Sequence, residues 1–253
     1  MCLLFLSIDN HPNYKLIIAG NRDEFYNRKT AAAQFWDDNP GILGGRDLVA
    51  GGTWMAMTRS GRIAMVTNYR DPANIKSNAP SRGHLVTDFL IGNDSPEQYL
   101  ERVSKVGKTY NGFNLIVGYK NDVWYYSNYR PSVEKLAPGF YGLSNHLLET
   151  AWPKVTRGKE VIKPIIHDAV IDPEKVLDAL YDDQKAEDSL LPSTGVPLAQ
   201  ERALSSMFIK MEGYGSRCST VILVDKADQV LFSERSYNTA TFDHTTTSFR
   251  FAI

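Results

Sequence analysis

Residues 2–24 read CLLFLSIDNHPNYKLIIAGNRDE, and the fold turns on how this stretch is paired. Residues 2–8 are apolar on both alternating faces, as in a strand buried on both sides. Residues 9–13, DNHPN, form a turn cluster. Residues 15–19, KLIIA, read as a second buried strand, and Gly20 leads into Asn21-Arg22-Asp23-Glu24. The simplest joint reading is a β-hairpin. A loop centred midway between the two runs places Cys2 opposite Asn21, within a residue or two. Directly paired Cα atoms of antiparallel strands lie roughly 4.5–5.5 Å apart. The polar tetrapeptide is therefore expected beside the start of the chain.

That placement gives Cys2 a chemical reading. With Met1 removed, Cys2 carries a thiol and a free α-amine whose reference pKa is about 7.7–8.0. The amine can then act as base for its own side chain, the logic of N-terminal nucleophiles. A nearby Arg22 is expected to depress the thiol pKa, and Asp23 or Glu24 to orient the amine. The competing reading is structural: a buried free cysteine in a strand, followed by a solvated turn with weak local ion pairs.

Working outward, Gly44-Gly45 and Gly51-Gly52 mark turns or close backbone approach. Residues 53–58 and 62–67 read as strands around a turn at 59–61, with Asn68 following. Residues 83–91 and 96–106 have helical spacing, and Ser95 with Pro96 reads as a helix start. Residues 113–118 and 122–127 form another hairpin, and 140–144 a short strand ending at Asn145. Residues 152–166 and 173–183 read as helices, and 187–200 as a long loop, a segment type often functional. Residues 220–225 and 229–233 form a late hairpin, and 249–253 a last edge strand. Strands, then helices, then strands make this α+β, with residues 1–253 as one domain.

Outside the hairpin, candidates are fewer. Asn68 and Asn145 each end a strand, where a side-chain amide can donate to an oxyanion; turn asparagines are the plain alternative. Arg217, entering the 220–225 strand, has the planar fork that suits a carboxylate or phosphate. The five histidines have no metal-like spacing, so no metal ligand is assigned. His84 and His146 are the candidates for a haem axial ligand, against the commoner surface or packing role.

Composition sets limits. The chain is 43% hydrophobic and 23% charged, the balance of a folded globule. Lys and Arg number 28 against 29 Asp and Glu, so no global field draws nucleic acid. Two cysteines make no disulfide framework and suggest a reducing compartment. No apolar run approaches the roughly 20 residues of a membrane helix, and the start is a poor signal peptide. A cytoplasmic location is the expectation.

Taken together, the Met1-Cys2 start, Asn21-Arg22-Asp23-Glu24, Gly51-Gly52-Thr53-Trp54, Gly142-Leu143-Ser144-Asn145 and residues 215–220, GSRCST, resemble the NRDE, or transport-and-Golgi-organisation, family. The resemblance implies an N-terminal-nucleophile-hydrolase-like fold, a four-layer αββα sandwich of two stacked antiparallel sheets. By analogy with the choloylglycine and penicillin V acylase cysteine hydrolases, Cys2 is nucleophile and base. Arg22 and Asp23 support it, Asn68 and Asn145 serve an oxyanion, and Arg217 steadies the site. That group runs Arg-Asn-x-Asp where this chain runs Asn-Arg-Asp-Glu, leaving open whether Asp23 or Glu24 faces the amine. Two functions stand side by side. One is hydrolysis of an amide or other acyl bond of a small molecule, with no cofactor required. The other is non-catalytic binding and trafficking of haem or an acyl-CoA-like lipid.

Overall fold

The computed structural model describes residues 2–253; Met1, half of the Met1-Cys2 start, lies outside them. Strands β1 (Cys2–Ile8) and β2 (Tyr14–Phe25) form the expected hairpin. The register is one residue beyond expectation: Cys2 pairs with Arg22 and Leu3 with Asn21. The tetrapeptide is not a turn after β2 but part of it. It stays extended because β12 (Tyr214–Asp225) pairs along its other edge, out to Tyr214 opposite Phe25.

Chain order elsewhere follows the sequence reading with additions. β3 (Thr30–Trp36) and β4 (Asn39–Asp47) form a hairpin that the sequence does not announce. β5 (Met55–Thr58) and β6 (Arg62–Asn68) precede helices α1 (Gly83–Ile91) and α2 (Pro96–Val106). Ser95 caps α2 in a full capping box with Gln98. Then come β7 (Phe113–Tyr119), β8 (Asp122–Ser127), the unforeseen β9 (Arg130–Lys135) and β10 (Gly139–Leu143). Helices α3 (Pro153–Ile166) and α4 (Pro173–Leu180) follow. The long loop is broken near its end by α5 (Leu198–Ala203). β11 (Lys210–Met211), β12, β13 (Gln229–Tyr237) and β14 (His244–Ala252) complete the chain.

The strands make two antiparallel seven-stranded sheets. One runs β10-β1-β2-β12-β13-β14, with β11 added on β12; the other is a meander from β3 to β9. They stack on a shared core that takes Cys2, Leu4, Leu6 and Ile8 from one face of β1. The opposite face of β1, Leu3 and Phe5, packs under α3 and α4. Helices α1 and α2 cover the outside of the second sheet. This is the αββα sandwich that the resemblance implied. Alternation explains why β1 is apolar throughout: both of its faces are covered. Among the described residues, no helix is long and apolar enough to cross a membrane.

Close approach fixes α3 to the first sheet. A Cβ on Gly158 would meet Phe5 Cζ at 2.0 Å and Met207 Sδ at 2.8 Å. Gly158→Ala is therefore expected to destabilise by about 1–3 kcal/mol, although alanine favours a helix by about 1 kcal/mol. Chemical denaturation reads this directly, and a stabilised variant would mean that α3 can rise off Phe5 freely.

Candidate active site

Strand register builds the site. Across β1, β2 and β12 the residues Cys2, Arg22 and Cys218 lie in one row, because Arg22 pairs with both cysteines. Directly paired residues share a face, and this face is the one between the sheets. Asn21 and Asp23 project from the other side of β2, beneath the helices. Asn21 is fully buried and spent on structure. Its amide donates to the carbonyls of Leu180 and Met207, and its Oδ1 accepts from Ser219 Oγ at 2.6 Å.

Asp23 is the buried carboxylate of the tetrapeptide. It is 1% exposed and accepts from Ser216 Oγ at 2.6 Å. Its backbone N–H favours the Cys2 thiolate, weakly against the burial that opposes it. Glu24 is more open and sits 3.8 Å from both Arg22 and Arg28. Arg28 in turn forks onto Asp47 at 2.6 Å. Of the two carboxylates, Asp23 is the buried one and the one whose charge acts on Cys2.

The Cys2 thiol does not behave as a nearby arginine alone suggests. Burial pushes its pKa up, and the charge of Asp23 adds to this, while Arg22 opposes it. Desolvation outweighs the arginine because Cys2 is only 6% exposed. Burial also raises the pKa of Asp23, opposed by the positive charge of Lys154.

Lys154 is the main residue that sequence reading missed. It is 2% exposed, its Nζ donates to Asn145 Oδ1 at 3.2 Å, and it interacts with Asp23, Cys2 and Arg70. Burial, opposed by Asp23, lowers its pKa to about 8. A signal was present. Lys154 stands on the buried stripe of α3 with Gly158, Ile162 and Ile166, spaced by four. A lysine on an apolar stripe needs a partner inside. Arg70 and Glu201 were missed too. They form a buried pair at 2.6 Å, tying α5 to the end of β6, with Arg70 also stacked on Trp152.

The two asparagines meet across the sheets. Asn145 Nδ2 donates to the Asn68 carbonyl at 3.1 Å, while its Oδ1 takes Lys154 and Ser144. Asn145 therefore holds Asn68 in place with an amide already in use. Asn68 itself lines a cleft of about 720 Å³ together with Cys2, Arg22, Asp23, Trp54 and Arg82. Arg217 is outside that cleft. Its guanidinium donates to the carbonyls of Phe25, Tyr26 and Arg28 and to Thr30 Oγ1, clamping the turn between β2 and β3. With Arg22, Cys218 and Glu234 it lines a neighbouring cavity of about 220 Å³. Cys218 is buried and its thiol pKa is driven well up by burial and by Glu234.

The histidines stand apart. His84 Nε2 bonds the Ala50 carbonyl, and His146 Nδ1 bonds Thr150 Oγ1 beside Tyr69 and Trp152. Neither lines the Cys2 cleft. Among the described residues, no group of three or more His, Cys, Asp or Glu side chains is placed to hold a metal.

The sequence profile of the family described as Transport and Golgi organisation 2 matches residues 1–239. This chain belongs to that family. The human Transport and Golgi organization protein 2 homolog is 39% identical over 259 residues, covering 93% of each chain. The Drosophila melanogaster Transport and Golgi organization protein 2 is 31% identical, covering 93% of this chain and 92% of its own. The NRDE resemblance is therefore upheld. Among solved structures, a Caenorhabditis elegans N-acylethanolamine-hydrolyzing acid amidase ortholog superposes with a TM-score of 0.53 at 13% identity, over 88% of this chain and 92% of its own. A C2A mutant of conjugated bile acid hydrolase from Clostridium perfringens gives 0.50 at 9% identity, over 98% and 92%. At such identities the likeness is one of fold: this chain has the stacked-sheet fold of these two hydrolases.

Proposed function

We propose that this protein is a cysteine N-terminal-nucleophile amidohydrolase that cleaves an amide or related acyl bond of a small molecule. The observation that supports it most is Cys2 on the lining of the cleft, paired directly with Arg22 and sharing that lining with the buried Asp23. After removal of Met1, the α-amine takes the thiol proton and the sulfur adds to the substrate carbonyl carbon. The Asn68 amide, on the same cleft, receives the oxyanion. Collapse breaks the C–N bond as the ammonium returns its proton to the leaving amine. Water then cleaves the thioester and frees the acid. In this reading Lys154 balances Asp23, so that the carboxylate orients the amine without locking it in its protonated form.

A second reading keeps the cleft as a non-catalytic binding site for haem or an acyl-CoA-like lipid, in line with the trafficking named for the relatives. One feature favours it: burial pushes the Cys2 thiol pKa up, away from the reactive thiolate.

The deciding experiment is intact mass of protein from its native host, followed by incubation with amide and thioester panels. The hydrolase reading expects a mass lacking Met1, turnover of at least one compound, and loss of that turnover by at least a hundredfold in Cys2→Ala. Met1 retained, or turnover indifferent to Cys2→Ala, sinks it and leaves the binding reading.

A further inference from the structure

The Cys2 cleft is lined by three arginines that are not equivalent. Arg22 faces Glu24, and Arg28 is shared between Glu24 and Asp47. Those two cations and two anions answer one another. On the helix side, Asp23 is balanced by Lys154. Arg82 is the exception. It is half-buried at the start of α1, and the one hydrogen bond of its side chain among the described residues runs from Nη1 to the Gly112 carbonyl at 2.9 Å. It has no carboxylate within ion-pair distance among those residues. Glu212, the remaining acid on the lining, is exposed in the turn between β11 and β12.

A guanidinium carries several N–H donors in a rigid fork, and those of Arg82 not spent on Gly112 are open to the cleft rather than buried without a partner. A carboxylate or phosphate answers them in bidentate fashion. The wall beside Arg82 is apolar, with Trp54, Val66 and Leu204 on the same lining. Arg82 and Cys2 line the same cleft, so an anion held at Arg82 lies in the space that Cys2 borders.

We infer that Arg82 is an anion anchor, and that the molecule processed at Cys2 carries an acidic group, a carboxylate or phosphate, on an apolar body. This rests on the reading of the cleft as a substrate site. It goes beyond that reading by naming what the cleft selects.

The test is equilibrium titration calorimetry of the full chain with octanoate, octyl phosphate and octanol, three probes of one tail and different heads. The expected result is saturable binding of at least one acidic probe, tenfold or more tighter than octanol. Which acid binds better separates a carboxylate from a phosphate ligand. In Arg82→Gln the preference should fall to near unity, and Arg82→Lys should restore only part of it. Equal affinity for the three heads, no saturable binding, or a preference that survives Arg82→Gln overturns the anchor. Acylation of Cys2 by an octanoyl thioester, read by intact mass in parallel, reports separately on the hydrolase reading. The anchor can therefore fail while Cys2 chemistry stands, or the reverse.

Discussion

Glu201→Ala is expected to lower the melting temperature by on the order of 10 °C. Glu201 and Arg70 meet at 2.6 Å with side chains 4% and 6% exposed. The second Glu201 oxygen accepts from the Thr194 N–H at 2.9 Å and from its hydroxyl. Removing the carboxylate leaves a buried guanidinium uncompensated, and Arg70 Nε and Nη2 already lack hydrogen-bond partners among the described residues. Breaking one side of a buried pair costs about 3–5 kcal/mol. Each kcal/mol is worth roughly 2–4 °C in a chain of this size. The neighbouring pair Arg202–Asp188 is the control, since both side chains are largely exposed. Arg202→Ala should move stability by no more than about 1 kcal/mol. Scanning calorimetry of the two variants compares them. Equal, small effects would mean that the Arg70 charge finds water once Glu201 is gone.

Lys154→Met is expected to slow alkylation of Cys2 by iodoacetamide about tenfold at pH 7.5, the effect of a one-unit shift in the reacting group. The positive charge of Lys154 is coupled to both Cys2 and Asp23, and a cation there favours the Cys2 thiolate. Glu201 also attracts the lysine and Arg70 repels it, so both belong to the same field. Without Lys154 the alkylation profile should move to higher pH. Lys154→Arg should restore part of it, which a purely structural role would not require. An unshifted profile in the methionine variant would exclude Lys154 from the chemistry of Cys2.

Stability has its own sign. The native pKa of Lys154, about 8, lies below the unfolded value, so the unfolded chain holds more protons between pH 8 and roughly 10.4. Relative to Lys154→Met, the wild type therefore gains stability as pH rises through that window, by up to roughly 3 kcal/mol. Below pH 8 the burden of the buried charge is fully present.

The sequence made legible what depends on neighbours in the chain. Two apolar runs around DNHPN specify a hairpin, and the hairpin brings Arg22 to Cys2. The register missed by one because the turn is not centred where the runs suggest. Asp9 takes a positive φ, and its N–H closes onto Lys15 O. The β3–β4 hairpin was hidden by a run of alanines and by glycines. Gly44 is there because its Cβ would meet Ala56 Cβ at 2.6 Å, a fact of packing that no local pattern declares.

The site was read more unevenly. Cys2, Arg22, Asp23 and Asn68 come together in or beside the cleft. Asn145 and Arg217 proved to be engaged elsewhere, one by Asn68 and Lys154, the other by four groups around the β2–β3 turn. Lys154, Arg70 and Glu201 carry charges that look solvated in sequence and become site residues only through contacts spanning tens to more than a hundred positions. Their partners, not their neighbours, make them legible.

The row Cys2–Arg22–Cys218 has a geometric corollary. Arg22 borders both the large cleft and the smaller cavity beside it, with Asp47, Thr53 and Trp54 as the other shared edges. Its side chain is thus a partition as well as a charge. Lysine in its place would keep the charge but lose the breadth of the fork, and a short residue would thin the edge that the two spaces share. The extent of each space then depends on this side chain, so cavity size and thiol electrostatics cannot vary independently at this position.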